Sequence, residues 1–243
     1  MERTQHISLL GRLALLVCLA TAAHGLSLKR QELEGAGKTG GSLFSPADYF
    51  EVSTPLTDRV AINAYGFYLG NMKAEIALAE ASVRVSKAIS VTSSYLYIAV
   101  PTVGLSQLTG ETQSSGYHEH QFRQAASFAT SWRNFNISDR NMYALRLIGT
   151  GNINRYRNRI YISRSVSAGP FRFTPFVFDE VYHDFASGRW LRRNWIVGGA
   201  DLPANRYMTF QLSDIRQDDS SLRSVNFLGL AIILRSGTLF DRK

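Results

Sequence analysis

The sequence predicts an all-β fold, a closed antiparallel transmembrane β-barrel of about ten strands. Three observations predict it. Arg155, Arg157 and Arg159 sit two apart, so a strand projects all three guanidiniums from one face, where a helix would scatter them around its circumference. The same layout, polar on one face and mixed-apolar on the other, recurs along the chain from residue 58. An export-type leader stands in front of it.

In the leader, Arg3 and Arg12 supply positive charge. Leu13 to Ala23 is an apolar run too short to cross a bilayer as a helix. Ala23-His24-Gly25 offers a small-x-small cleavage site, so residues 1–25 are expected to be a cleaved signal peptide, with Ala22 and Ala23 as alternative ends. The single cysteine, Cys18, lies in the apolar run and follows Val17, where a lipoprotein signal wants a small residue. Removal of the leader leaves no cysteine for a disulfide, a thiolate metal site or a nucleophile. The formal charge is +8, and Arg3 and Arg12 against Glu2 leave +7 on the remainder. An exported basic protein points to anionic headgroups, lipopolysaccharide phosphates or an internal charge cluster. Nucleic acid is a poor partner there, and no recognition motif for it is present.

Residues 26–55 are polar and Gly-rich and show no sustained period, so they read as a flexible periplasmic arm before a barrel over 56–240. Gly35-Ala-Gly-Lys-Thr39 resembles part of a phosphate-binding loop but lacks its spacing, and reads as linker. Ten strand-like segments follow at 58–69, 72–86, 88–101, 117–131, 135–148, 153–167, 171–184, 190–202, 206–217 and 222–235. Each is long enough for the ~9–11 residues of a membrane strand. The Ala- and Glu-rich 72–86 is the one segment whose composition also fits a helix.

The connections sort by length. Those near Lys87, Arg133-Asn134, Ala168-Gly169 and Pro203-Ala204 are tight, whereas Pro101 to Gly116 is long and two others are intermediate. Short periplasmic turns and longer outer loops are the rule in outer-membrane barrels. Gly70-Asn71 and Gly149 to Asn152 are short exceptions on the outer side.

The charged faces identify the expected lumen. Counting outward from a turn at Ala168-Gly169 places Arg157 opposite Glu180; a turn one residue later places Arg159 there. Such charges cost about 2–4 kcal/mol each at a bilayer midplane, so their face must be internal. The expected lumen network comprises Arg155, Arg157, Arg159, Arg172, Glu180, Tyr182, Arg140, Arg146, Glu119, Arg123 and Arg193. Asp179 falls on the lipid-facing side and demands either an interfacial position or a bulge. His118, His120 and His183 are the candidates for catalysis or metal binding. His118 and His120 lack a third metal ligand, and nothing ties Ser131, Ser138 or Ser163 to a histidine. Aromatic residues near strand ends, Trp132 and Tyr207 among them, fit interfacial girdles.

From about Tyr117 to Arg235 the chain resembles the bacterial outer-membrane barrels catalogued as domain of unknown function 2490. The likeness rests on His118-Glu-His-Gln-Phe-Arg-Gln124, Arg155-Tyr-Arg-Asn-Arg-Ile-Tyr-Ile162, Pro175-Phe-Val-Phe-Asp-Glu-Val-Tyr182 and Arg193-Asn-Trp-Ile-Val-Gly-Gly199. The resemblance implies a barrel in the outer membrane of a Gram-negative-type cell, with no catalytic residues to carry over. Phe240 is followed by Asp241-Arg-Lys243, a departure from the terminal aromatic of many such barrels. The expected function is a non-catalytic structural or interaction protein, or a narrow pore with a basic, salt-bridged lumen. The expected partners are outer-membrane lipids, lipopolysaccharide and the barrel assembly machinery, with no cofactor and no metal. A lipid-modifying hydrolase and a soluble periplasmic ligand-binding barrel are the alternatives.

Overall fold

A computed structural model of the chain describes residues 43–70, 72–103, 115–149, 151–168, 171–185, 192–219 and 224–237. The expected leader, the Gly35–Thr39 stretch, Gly169 and Phe240 lie outside the described residues.

Every segment expected to be a strand is one, the Ala-rich 72–86 included. The described strands are β1 (Leu43–Pro55), β2 (Val60–Leu69), β3 (Ala74–Arg84), β4 (Ile89–Val100), β5 (Tyr117–Trp132), β6 (Phe135–Ile148), β7 (Gly151–Ser163), β8 (Val166–Ala168), β9 (Phe171–Asp184), β10 (Arg193–Pro203), β11 (Met208–Asp219) and β12 (Val225–Arg235). β1 to β7 and β9 to β12 pair in a ring of eleven strands. Eleven-residue strands rising ~3.4 Å per residue at a tilt of ~40° reach about 28 Å along the barrel axis.

The strand that the sequence did not announce is β1. Its thirteen residues, L-F-S-P-A-D-Y-F-E-V-S-T-P, carry two prolines and an irregular apolar pattern. Pro46 sits just before the ladder to β2 begins at Ala47↔Leu69, and Pro55 ends that ladder opposite Ala61, so neither missing N–H interrupts it. The second half of the expected arm is thus part of the barrel wall. β1 runs parallel to β12, from Leu43↔Val225 to Ser53↔Arg235, while the other neighbours in the ring are antiparallel. An odd number of alternating strands cannot close without one parallel pair. β1 therefore starts at the opposite rim from the one where β12 ends.

One rim carries the connections 56–59, 85–88, 133–134, 164–170 and 204–207, and is called the short-turn rim here. The other carries 70–73, 101–116, 149–150, 185–192 and 220–224, and is called the long-loop rim. The β7–β9 hairpin overshoots the short-turn rim. Its register keeps the same count from Arg155↔Asp184 through Ser163↔Phe176 to Ala168↔Phe171, which aligns Arg159 with Glu180, as the later of the two expected turns requires.

Alternation sorts the side chains. On β5, Glu119, Gln121 and Arg123 are buried while His118, His120 and Phe122 are exposed. On β12, Val225, Phe227, Ala231 and Ile233 are buried while Leu228, Leu230 and Ile232 are exposed. Apolar side chains thus cover much of the outside and charges lie within, the inverse of a water-soluble domain.

Candidate functional site

The interior has two halves. Against β12 and β1 to β4, the long-loop end is filled by Ala47, Met72, Ala74, Val100, Val225 and Phe227. Against β5 to β11 it is filled by ion pairs. Arg146 donates to both carboxylate oxygens of Glu119, through Nε and, at 2.9 Å, through Nη2. Glu119 also accepts from Gln121 Nε2 at 2.7 Å and from the Tyr117 hydroxyl. Asp184 accepts Arg155 Nη2 at 2.8 Å and a second bond from Arg155 Nε, and Arg146 Nη1 lies 3.5 Å away. Beside them Arg193 Nε donates to Asp219 at 2.8 Å.

Tyr182 is the hub of the next layer. Its hydroxyl accepts Arg157 Nη2 at 2.9 Å and donates to Glu180 at 3.1 Å. The Arg157, Arg155 and Arg193 guanidiniums lie 4.5, 5.5 and 5.9 Å from its ring centroid. Arg140 reaches Glu80 of β3 at 3.0 Å, and Glu80 also accepts from Asn63 and Tyr65. That bond connects strands three places apart in the ring, so it passes through the interior. Glu119 and Glu180 are only 2% and 4% exposed. In so dry a setting a fork-to-carboxylate pair fixes geometry as well as charge.

Ten of the eleven residues expected in the lumen network face the interior. Arg172 does not join them. It pairs with Ser167 on the overshooting part of β9 and is exposed beyond the rim. Among the described residues Arg123 bonds Gln121 at 2.8 Å and forms no ion pair, and Arg159 lies over Phe178 at 5.3 Å. Glu80, Asp184 and Asp219 were not expected as partners. Asp184 shares the two-residue period of Glu180 and Tyr182, which puts it on their lumen face, though not with a named partner. Glu80 lies in the segment with the least clear period.

The histidines face outward. His118 Nδ1 lies 2.8 Å from the Tyr97 hydroxyl and His120 Nδ1 lies 2.6 Å from that of Tyr95. Both sit near the long-loop rim. Ser131 and Ser138 line a recess of about 470 Å³ at the opposite rim, with Lys87, Asn136 and Tyr161. The fold therefore separates these serines from these histidines by the height of the barrel. Glu119, between the two histidines in sequence, points inward, and among the described residues no group of three or more His, Cys, Asp or Glu could hold a metal ion.

The outside of β4 to β7 is more polar than the rest, and its groups satisfy one another. Gln124 donates to Ser93 at 2.8 Å, Tyr143 to Asn154 at 2.7 Å, and Asn158 and Asn141 to Asp139 at 2.6 and 3.0 Å. Asp179 remains outward in unbroken register between Ile160 and Ile196, so no bulge turns it inward.

A family model described as "Protein of unknown function (DUF2490)" matches residues 55–222. No curated protein matches. Among solved structures, LpxR from Salmonella typhimurium is similar at a TM-score of 0.44 and 7% identity, over 72% of this chain and 83% of that one.

Proposed function

The chain belongs to the DUF2490 family of proteins of unknown function, and from that premise we propose that it is an outer-membrane-spanning barrel whose interior is closed by its own ion pairs. It acts as a structural or interaction protein and not as a conduit. The observation that carries this reading is the inversion of polarity across the wall. Glu119, Arg146, Arg155, Glu180 and Asp184 are buried inside, while Ile196, Leu202, Phe210, Leu212, Leu228, Leu230 and Ile232 are exposed outside. In water that outer face would be a large apolar patch without cover. In a bilayer it faces lipid tails, and the strands are long enough for a ~25 Å apolar band.

Inside, the carboxylates are taken up by arginines, tyrosines and amides of neighbouring strands. A diffusing ion would have to break these bonds to pass. Single-channel recording on the refolded protein without residues 1–25 is expected to show little or no steady conductance, and a large steady pore would overturn the closed interior. Recovery of the protein in the soluble periplasmic fraction, without a fast-migrating band in unboiled gels, would overturn the membrane setting.

A protein-facing role for one sector is favoured by Asp139 and Asp179, whose outward carboxylates flank Ile160 on neighbouring strands and raise the cost of exposing β6 to β9 to lipid.

A further inference from the structure

The five connections of the short-turn rim and the strand ends that flank them carry seven exposed cations. Arg59 stands in the first, Arg84 and Lys87 at the second, Arg133 in the third, Arg164 and Arg172 on the fourth and Arg206 in the fifth. Asp58 is the one acid among the described residues of these turns, so seven cations against one acid leave +6 there, out of +8 for the whole chain. Among the described residues none of the seven forms an ion pair. The charge that is balanced inside the barrel is thus left unbalanced on one rim.

Three of these cations have aromatic supports. The guanidinium of Arg133 lies 4.9 Å from the Trp132 ring centroid, that of Arg164 lies 5.4 Å from Phe135, and that of Arg206 lies 4.5 Å from Tyr207. Trp132 and Tyr207 are 60% and 46% exposed. Amphipathic rings settle at headgroup depth. A guanidinium stacked on such a ring is held at that depth with its N–H fork free for phosphate oxygens. The described part of the long-loop rim is nearly balanced instead, with Lys73, Arg192 and Arg216 against Glu75 and Asp218; Arg192 lies 3.9 Å from Asp184 and Arg216 lies 3.0 Å from Asp218.

We propose that the short-turn rim is a binding surface for anionic phospholipid headgroups, with Arg133, Arg164 and Arg206 taking their phosphates. The proposal rests on the membrane-spanning reading. The two fail differently in one experiment. The refolded protein without residues 1–25 is placed in phosphatidylcholine vesicles doped with spin-labelled phosphatidylglycerol or spin-labelled phosphatidylcholine, and the motionally restricted fraction of each label is measured. The expected result is a clear preference for phosphatidylglycerol that weakens as salt is raised. Arg164→Gln/Arg206→Gln is expected to lower that preference on the order of fivefold for each cation removed. Arg164→Lys/Arg206→Lys, which keeps the charge, is expected to retain most of it. Equal restriction of both labels by the unmodified protein overturns the proposal, as does a preference that the Gln variant leaves unmoved. Restriction of neither label by folded protein overturns the membrane-spanning reading itself.

Discussion

Arg157 holds Glu180, although Arg159 is the residue aligned with it. The register pairs Arg159 with Glu180, yet Arg157 Nη2 lies 2.8 Å from Glu180 Oε1 and the Arg159 guanidinium stacks over Phe178. Diagonal neighbours two residues apart are within reach of long side chains on a sheet face. The choice of partner is set by the Tyr182 hydroxyl, which bridges Arg157 and Glu180. Glu180→Gln leaves the Arg157 cation buried without its carboxylate and is expected to destabilise the barrel by about 3–5 kcal/mol. Arg157→Met/Glu180→Leu is expected to recover most of that loss, because it removes both desolvated charges. Urea unfolding of the refolded protein measures both. A loss below about 1 kcal/mol for Glu180→Gln would mean that water or Arg159 replaces the pair.

Parallel closure by β1 can be tested chemically. Phe50 is aligned with Ile232. With residues 1–25 removed the chain has no native cysteine, so Phe50→Cys/Ile232→Cys contains one candidate disulfide. It is expected to form under mild oxidation and to shift the band of the denatured protein. Phe50→Cys/Leu228→Cys, displaced by four residues or ~13 Å along the strand, is expected not to cross-link. The reverse pattern would refute the register.

Gly199 faces the lumen beneath Phe176. A Cβ there would lie 2.6 Å from Phe176 Cζ and 2.5 Å from the Leu212 carbonyl oxygen. Gly199→Ala forces the ring and the β10–β11 backbone apart, at an expected cost of about 1–3 kcal/mol in urea unfolding. Gly198→Ala, whose Cβ would meet nothing within 4 Å, is the control and is expected to change stability little. Equal effects at the two positions would show that Phe176 does not pack where it is placed.

Asp179 reports on what surrounds the wall. It is exposed between Ile160 and Ile196. If that face meets lipid, Asp179→Leu removes a carboxylate from the bilayer and is expected to stabilise the folded protein in phosphatidylcholine vesicles by about 1–2 kcal/mol. Unchanged stability would put Asp179 in contact with water.

Much of the wall was legible in the sequence because a strand writes its two faces as a period of two. Arg155, Arg157 and Arg159 declared a charged face, and the cost of charge in lipid made that face internal. The same logic placed Glu119, Arg123, Arg140, Arg146 and Arg193 inside. It failed for Arg172, because parity says which way a side chain points but not whether the strand has already left the barrel. It failed for β1, where two prolines masked a strand that owes its order to pairing with β12, some 180 residues away.

The sequence by itself determined ten of the ring's strands, their faces and the excess of positive charge, all properties of residues within a few positions of one another. Only the tertiary structure decided which arginine meets which acid, that the ring needs an eleventh strand and a parallel seam, that the histidines and serines sit at opposite rims, and that the unbalanced cations gather at one end. The physical reason is the same in each case. A residue's period fixes its direction locally, but its partner depends on register and tilt around a closed ring, which are set when the first and last strands meet.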